Sequence, residues 1–324
     1  MAGGLFGGGD GSELNPLLVE DAADLNEIRE DMTLHYKQVN DIDLLSFGPW
    51  TPLPEGPPFM GVYDGNKKKI TNLSINNPTG YKQALFAALH YDAIVKDLDV
   101  FGTCEGEESC ALIVGTASED SIIENCRAIG SVKGVQAVGL IVGYSSGIVN
   151  KVYSEGNALI EGLCNNVGGI AGKVFSGSIT NFYSRATVTA INSDVSWPEA
   201  GGLIGCVEGD SALIIDKGYS VGPVSVNQGD NVGGAIGRIN GTPTITNCYY
   251  DMELSGQSDN DGRGTPKTTA QMKDKNTFAT WDFINTWRID PRIKTGFPIK
   301  GPVVCPGIKP GSFKQKNEGY PFLR

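Results

Sequence analysis

Few side chains in this 324-residue sequence are placed to do chemistry. A Ser-His-Asp or Cys-His centre needs a histidine held against its nucleophile and oriented by a third group. The two histidines, His35 and His90, lack such company along the chain and read as structural or surface residues. Zinc requires His, Cys or carboxylate ligands at recognisable spacing, and none is found, so neither metal nor cofactor is expected. Asp97 and Asp99 stand two apart in a strand-like run, which would put both carboxylates on one face. Paired carboxylates of this kind cleave glycans. The same residues alternate with Leu98 and Val100, as solvent-facing positions do, and that plainer reading is preferred. Asp259-Asn260-Asp261-Gly262 resembles the start of a calcium loop but lacks the closing Glu, and reads as a polar turn.

Binding is the better prospect. Two segments lengthen an otherwise regular spacing: 192–198, with Asn192, Asp194 and Trp197, and 208–211, with Glu208 and Asp210. Loops on a rigid scaffold are common contact sites, and Trp197 is an aromatic suited to stacking on a sugar. Packing on a neighbouring element is an equal role for it. The seven cysteines are odd in number and scattered, which suits reduced, packed thiols. Cys104 and Cys110 are the one pair close enough in sequence to suggest a bridge.

The elements that must position these residues are legible as a repeat. Ala111-Leu112-Ile113-Val114-Gly115 returns as Val138-Gly139-Leu140-Ile141-Val142-Gly143, Val167-Gly168-Gly169-Ile170-Ala171-Gly172, Ala200-Gly201-Gly202-Leu203-Ile204-Gly205 and Val232-Gly233-Gly234-Ala235-Ile236-Gly237. The final glycines are 28, 29, 33 and 32 residues apart. A period of this size marks stacked coils. The last four phrases are each followed by a second motif ending in Tyr153, Tyr183, Tyr219 or Tyr249, ten to fourteen residues on. These runs alternate apolar and polar residues and are rich in β-branched and aromatic types, which predicts strands. No helical stripe with caps interrupts 60–251, so helical crossovers of the βαβ kind are not expected. Coil-on-coil pairing is, each coil climbing about 4.8 Å.

The fold predicted is an all-β parallel β-helix, or β-solenoid. Gly115, Gly143, Gly172, Gly205 and Gly237 are its structural glycines, expected where a tight turn demands positive φ or another backbone comes close. Alanine there should cost on the order of 1 kcal/mol or more, depending on φ. Cys126, Val152, Phe182, Gly218 and Cys248 should form one interior ladder, its large members complemented by small ones.

The remaining composition agrees. A net charge of −11 argues against binding nucleic acid by charge, which needs a basic patch. No apolar run is long enough to span a bilayer, so no membrane insertion is expected. Lys67-Lys68-Lys69 reads as a solvated turn. The glycine-rich start, Met1 to Gly11, lacks the basic and apolar regions of a secretory signal. It reads as a linker or docking arm. Residues 21–29 predict a short helix, and 36–44 a strand, which together would cap the open end of the solenoid. The boundaries expected are an arm over 1–14, a cap over 15–60, repeats over 61–251, a closing segment over 252–300 and a tail over 301–324.

Asn15-Pro16-Leu17-Leu18-Val19-Glu20-Asp21-Ala22-Ala23-Asp24-Leu25, Phe59-Met60-Gly61-Val62-Tyr63-Asp64-Gly65-Asn66, the glycine phrases, and Trp281-Asp282-Phe283 with Trp287-Arg288-Ile289-Asp290 resemble bacterial surface proteins built from GLUG-motif repeats. The resemblance implies a right-handed β-helix of the kind displayed on adhesins. Gln83-Ala84-Leu85-Phe86-Ala87-Ala88-Leu89 departs from the motif in the first coil. Without an export signal, the expectation is a non-enzymatic virion appendage of a phage or phage-like particle that binds a host-surface glycan or protein. Its N-terminal arm and C-terminal tail would meet other virion proteins. The alternatives are a cell-surface location, a structural decoration or connector of a phage head or tail, and, ranked last, a glycan lyase or hydrolase.

Overall fold

Successive repeats pair in parallel, residue upon residue: Val149 lies beside Ile179, and Ile179 beside Ile215. The computed structural model describes residues 6–53, 57–162, 166–192, 198–258, 261–289 and 320–323. They build a parallel β-solenoid of about seven turns. A long sheet forms one side, and two narrower sheets of five and six strands close the cross-section. Each glycine phrase spans the corner between the narrow sheets: Val138 and Gly139 pair with Val167 and Gly168 in one, while Val142 pairs with Ala171 in the other. The helix-free interval holds among the described residues of 60–251.

Space, not φ, selects the final glycines. None of the five has a left-handed φ. Instead, a Cβ on Gly143 would lie 2.6 Å from the Ser109 backbone, and one on Gly237 2.6 Å from Ala200 N. The narrow sheets approach backbone to backbone here, so the expectation of positive φ gives way to one of close approach. Phe86–Leu89 takes the same place in the first coil, Phe86 pairing with Val114, although its sequence departs from the motif.

One left-handed bend recurs from coil to coil inside the long sheet. Asp97, Asn125, Lys151, Asn181, Lys217 and Asn247 all have φ between 50° and 59°, one residue per coil. Each bends the strand just before the interior ladder position. Asn and Asp accept this conformation at least cost among non-glycine residues. Behind the bend, Cys126, Val152, Phe182 and Cys248 are buried, as predicted, with Gly218 in register between Phe182 and Cys248. Asn66 and Lys67 are also left-handed and the run to Lys69 is largely exposed, a bulged turn in the strand Val62–Asn76.

The N-terminal helix is Ala22–Glu27, with Asp21 accepting from Ala23 N and Asp24 N at its start. It connects two parallel strands, Leu17–Val19 and His35–Gln38, so the cap is itself a coil. The single strand expected over 36–44 is two, His35–Gln38 and Ile42–Asp43. The described part of the glycine-rich arm belongs to this cap: Gly7 N donates to Leu18 O (3.1 Å), and the Phe6 ring packs on Tyr36. At the other end, Thr265–Lys267 adds a last parallel strand to the long sheet. The chain then returns along the outside of the solenoid as a short helix, Thr269–Met272, a 3-10 turn, Lys275–Phe278, and the antiparallel pair Trp287–Arg288 with Phe322–Leu323.

Candidate functional site

Immediately after the left-handed bend, strand alternation turns Val152 and Ser154 inward and Tyr153 outward. Register repeats this, so Asp99, Arg127, Tyr153, Tyr183, Tyr219 and Tyr249 form one outer column. The Tyr153 and Tyr183 rings stack at 4.3 Å and 21°, and those of Tyr183 and Tyr219 at 5.1 Å and 4°. Strand spacing of about 4.8 Å brings equal side chains on neighbouring coils to stacking distance.

The returning C-terminal segment covers the middle of this column. Phe278, Trp281, Trp287, Tyr320 and Phe322 pack on it as a second apolar cluster, and Tyr219 is fully buried. Polar contacts fix the segment to the bends: Trp287 Nε1 donates to Asn181 Oδ1 (3.2 Å), and Thr280 Oγ1 to Asn247 Oδ1 (2.9 Å). Tyr320 OH donates to the buried Asp251 carboxylate (2.8 Å), and Tyr219 OH to Pro321 O.

Tyr153 packs, half-buried, at the edge of this cover. Between it and the strand Phe322–Leu323 is a groove of about 360 Å³, floored by Asp99, Arg127, Tyr153 and Glu155. A second cavity of about 350 Å³, lined by Lys96, Asp97 and Glu124, shares Asn125 and Lys151 with the first. The charges are matched in pairs. Arg127 reaches Asp99 at 2.6 Å and lies over the Phe101 ring at 5.3 Å. Lys151 meets Glu124 at 3.5 Å, Asn125 donates to Asp97, and Tyr153 OH donates to Glu155. Burial pushes the Asp99 carboxyl above its ordinary pKa, against the opposing pull of Arg127.

Asp97 and Asp99 therefore line neighbouring cavities, not one face of a flat strand. The bend at Asp97 separates them, and each has its own partner. His35 sits in the strand His35–Gln38, and His90 follows Phe86–Leu89 with its ring edge-on to Tyr91. Among the described residues, no group of three His, Cys, Asp or Glu is arranged to hold a metal.

The predicted contact loops lie apart from the groove. Asp194 and Trp197 fall outside the described residues, and Asn192 ends the strand Ser178–Asn192, its backbone paired with Gly162. Glu208 is bound by Lys173 at 2.6 Å on a narrow sheet. Asp210 accepts from Ala212 N (2.9 Å) and closes its own turn. Asp259 and Asn260 are also outside the described residues, while Asp261 is 3.4 Å from Arg263. The five described cysteines are buried free thiols; Cys164 and Cys305 lie outside. Sequence reasoning registered the repeating tyrosines but not that they face outward together. The signal was their fixed place one residue after the interior ladder.

No family model matches the chain. It is 28% identical over 389 aligned positions to a protein of Evansella cellulosilytica provisionally described as a Gly-rich membrane protein, an alignment covering 88% of this chain. The chain spans less than half of that relative's length, 45%. Among the described residues, no helix is long and apolar enough to cross a membrane. A crystal structure from Bacteroides ovatus, provisionally assigned as an immunoglobulin A1 protease, superposes with a TM-score of 0.69 and 19% identity, covering 100% of this chain and 96% of that one. At that identity the likeness is one of fold.

Proposed function

We propose that this chain is a non-enzymatic binding module, a stiff β-helical spacer that holds a lateral recognition face against a host-surface glycan or protein. The observation that carries the reading is the groove beside Tyr153: aromatic, densely polar, and with each titratable pair already engaged. General acid-base cleavage of a glycan needs one carboxyl free to give a proton and a second free to attack or to activate water. Asp99 held by Arg127 and Asp97 held by Asn125 favour contact over cleavage. The chain is displayed at a surface. The resemblance to GLUG-motif proteins suggests an adhesin, the relative's description points to a cell envelope, and a virion appendage is the platform expected from the sequence.

Adhesion of the purified, labelled chain to host cells, with and without glycosidase treatment, tests the reading. Saturable adhesion supports it, and absence of adhesion overturns it. Depolymerisation of a glycan by the chain, lost in Asp99→Asn, would replace it with the enzymatic alternative. Immunogold labelling of cells and particles distinguishes the two platforms.

A further inference from the structure

We infer that the groove beside Tyr153 binds a neutral glycan, with the Tyr153 ring as the platform on which a pyranose stacks. This rests on the binding-module reading and gives it a place and a ligand class.

The tyrosine column is covered at Tyr183 and Tyr219, and its Tyr153 end borders the groove. Tyr183 and Tyr219 are buried under the C-terminal segment, and Tyr320 stacks on Tyr219 at 6.3 Å and 16°. Tyr153 is half-buried, stacks on Tyr183 and lines the groove. Register makes Arg127 the next member of the column, but its guanidinium is drawn to Phe101 and Asp99 instead. The stack thus ends in a cavity. The C–H face of a pyranose is a flat apolar plate that an aromatic face recognises.

The walls supply the complementary half of sugar recognition. Asn125, Asp99, Glu155 and Arg185 carry planar groups with paired donors or acceptors, which suit adjacent hydroxyls. Charge narrows the ligand. The four basic residues lining the two joined cavities, Lys96, Arg127, Lys151 and Arg185, are matched by four acidic ones, Asp97, Asp99, Glu124 and Glu155. A trough without net charge, in a chain of −11, gives a uronate or sialate no attraction and asks it to break an existing ion pair. Neutral hydroxyls bridge such pairs without breaking them. Each cavity has the volume of a small-molecule site.

Titration calorimetry of the full chain with gluco-, galacto- and manno-oligosaccharides, and with polygalacturonate and sialyllactose as acidic counterparts, tests this. The expected result is binding of a neutral oligosaccharide. Tyr153→Ala should weaken it about tenfold, as loss of a stacked ring does, and Tyr153→Phe should hold it within about threefold. Glu155→Gln, which preserves the stack, keeps the test open should Tyr153→Ala fail to fold, and should weaken binding measurably. Preference for the acidic sugars, absence of neutral-sugar binding, or equal binding by all variants overturns the inference. Adhesion to host cells without neutral-sugar binding overturns it alone, whereas absence of both removes the binding-module reading as well.

Discussion

The Phe182 ring lies over Gly218, its partner on the next coil, so closely that a Cβ on Gly218 would fall within 2.6 Å of Phe182 Cε1. Both belong to the interior ladder, where a large residue is accommodated by an empty position beside it. Stability is therefore shared between coils. Gly218→Ala should destabilise the protein by about 1–3 kcal/mol through overpacking, since the ring has no free volume to enter. Phe182→Leu relieves that clash at the expense of a partial cavity. The double variant should be more stable than the sum of the two losses by at least ~1 kcal/mol, the coupling expected of direct neighbours. Urea unfolding of the four proteins measures it, and strict additivity would show that the two positions do not communicate.

The corner glycines yield a different expectation, because φ is ordinary there and only space is short. Gly172→Ala places its Cβ 2.6 Å from Ala137 Cα, an atom of the opposing backbone that cannot rotate away. A loss of about 1–3 kcal/mol is expected, seen as a lower melting temperature. Gly48→Ala, with φ of 90° and no atom within 4 Å of the added Cβ, isolates the conformational penalty for comparison. A Gly172→Ala protein as stable as the parent would contradict the close approach.

How much of this was written in the sequence depends on what each residue repeats with. The solenoid was legible because the glycine phrases recur at nearly constant spacing, and the ladder from Cys126 to Cys248 because its members share one place in each repeat. The bend was not, since its occupants are Asp97, three asparagines and two lysines. Lysine carries no turn signal, and so the runs around Lys151 and Lys217 read as unbroken strands. The groove was hidden for the same reason: without the bend, Asp97 and Asp99 seem to share a flat face. Its far wall, Phe322 and Leu323, comes from a segment whose irregular sequence gives no periodic cue to where it returns. The loop carrying Trp197 attracted attention because the period lengthens there and because it holds an aromatic, and it lies outside the described residues.

The bend also predicts where stability has been left unclaimed. Lys151 occupies left-handed geometry, φ 52°, which costs an L-residue without a locally bonding side chain roughly 1 kcal/mol or more. Asn125 and Asn181 hold the equivalent places on the coils either side. Lys151→Asn should raise stability by up to about 1 kcal/mol, even with loss of the exposed contact to Glu124, because such surface pairs contribute little. Differential scanning calorimetry reads the gain; a fall in melting temperature would mean that the lysine pairing outweighs backbone preference.

The C-terminal cover is held by packing rather than by regular pairing. Trp287 is fully buried against Tyr183, Tyr219 and Trp281, and its indole N–H reaches Asn181. Trp287→Ala should cost about 3–5 kcal/mol of local stability. Since the solenoid coils are paired by their own strands, the loss should open the cover before the coils unfold. Faster amide exchange at 269–289, with protection of the ladder strands unchanged, is the expected signature. Simultaneous loss of protection in both would show that cover and coils form one cooperative unit.

Asp216 gives the pH dependence a sign. Burial raises its pKa, but hydrogen bonds from Asn247, Lys217 and Thr246 outweigh burial and leave the carboxyl below its ordinary 3.8. Asn247 Nδ2 and Thr246 Oγ1 each donate to Asp216 Oδ1 at 2.7 Å, which ties the last full coil to the one before it. A carboxylate depressed in the folded state binds fewer protons there than in the unfolded chain. Its stabilising contribution is therefore complete above about pH 3.8 and is lost as pH falls through the folded value. Asp216→Asn removes that dependence and leaves an amide among donors it cannot fully satisfy. The variant should melt below the parent at neutral pH, with the gap narrowing as the solution is acidified past pH 3.8. A gap that stays constant from neutral to acid would locate the loss in the shape of the side chain rather than in its charge.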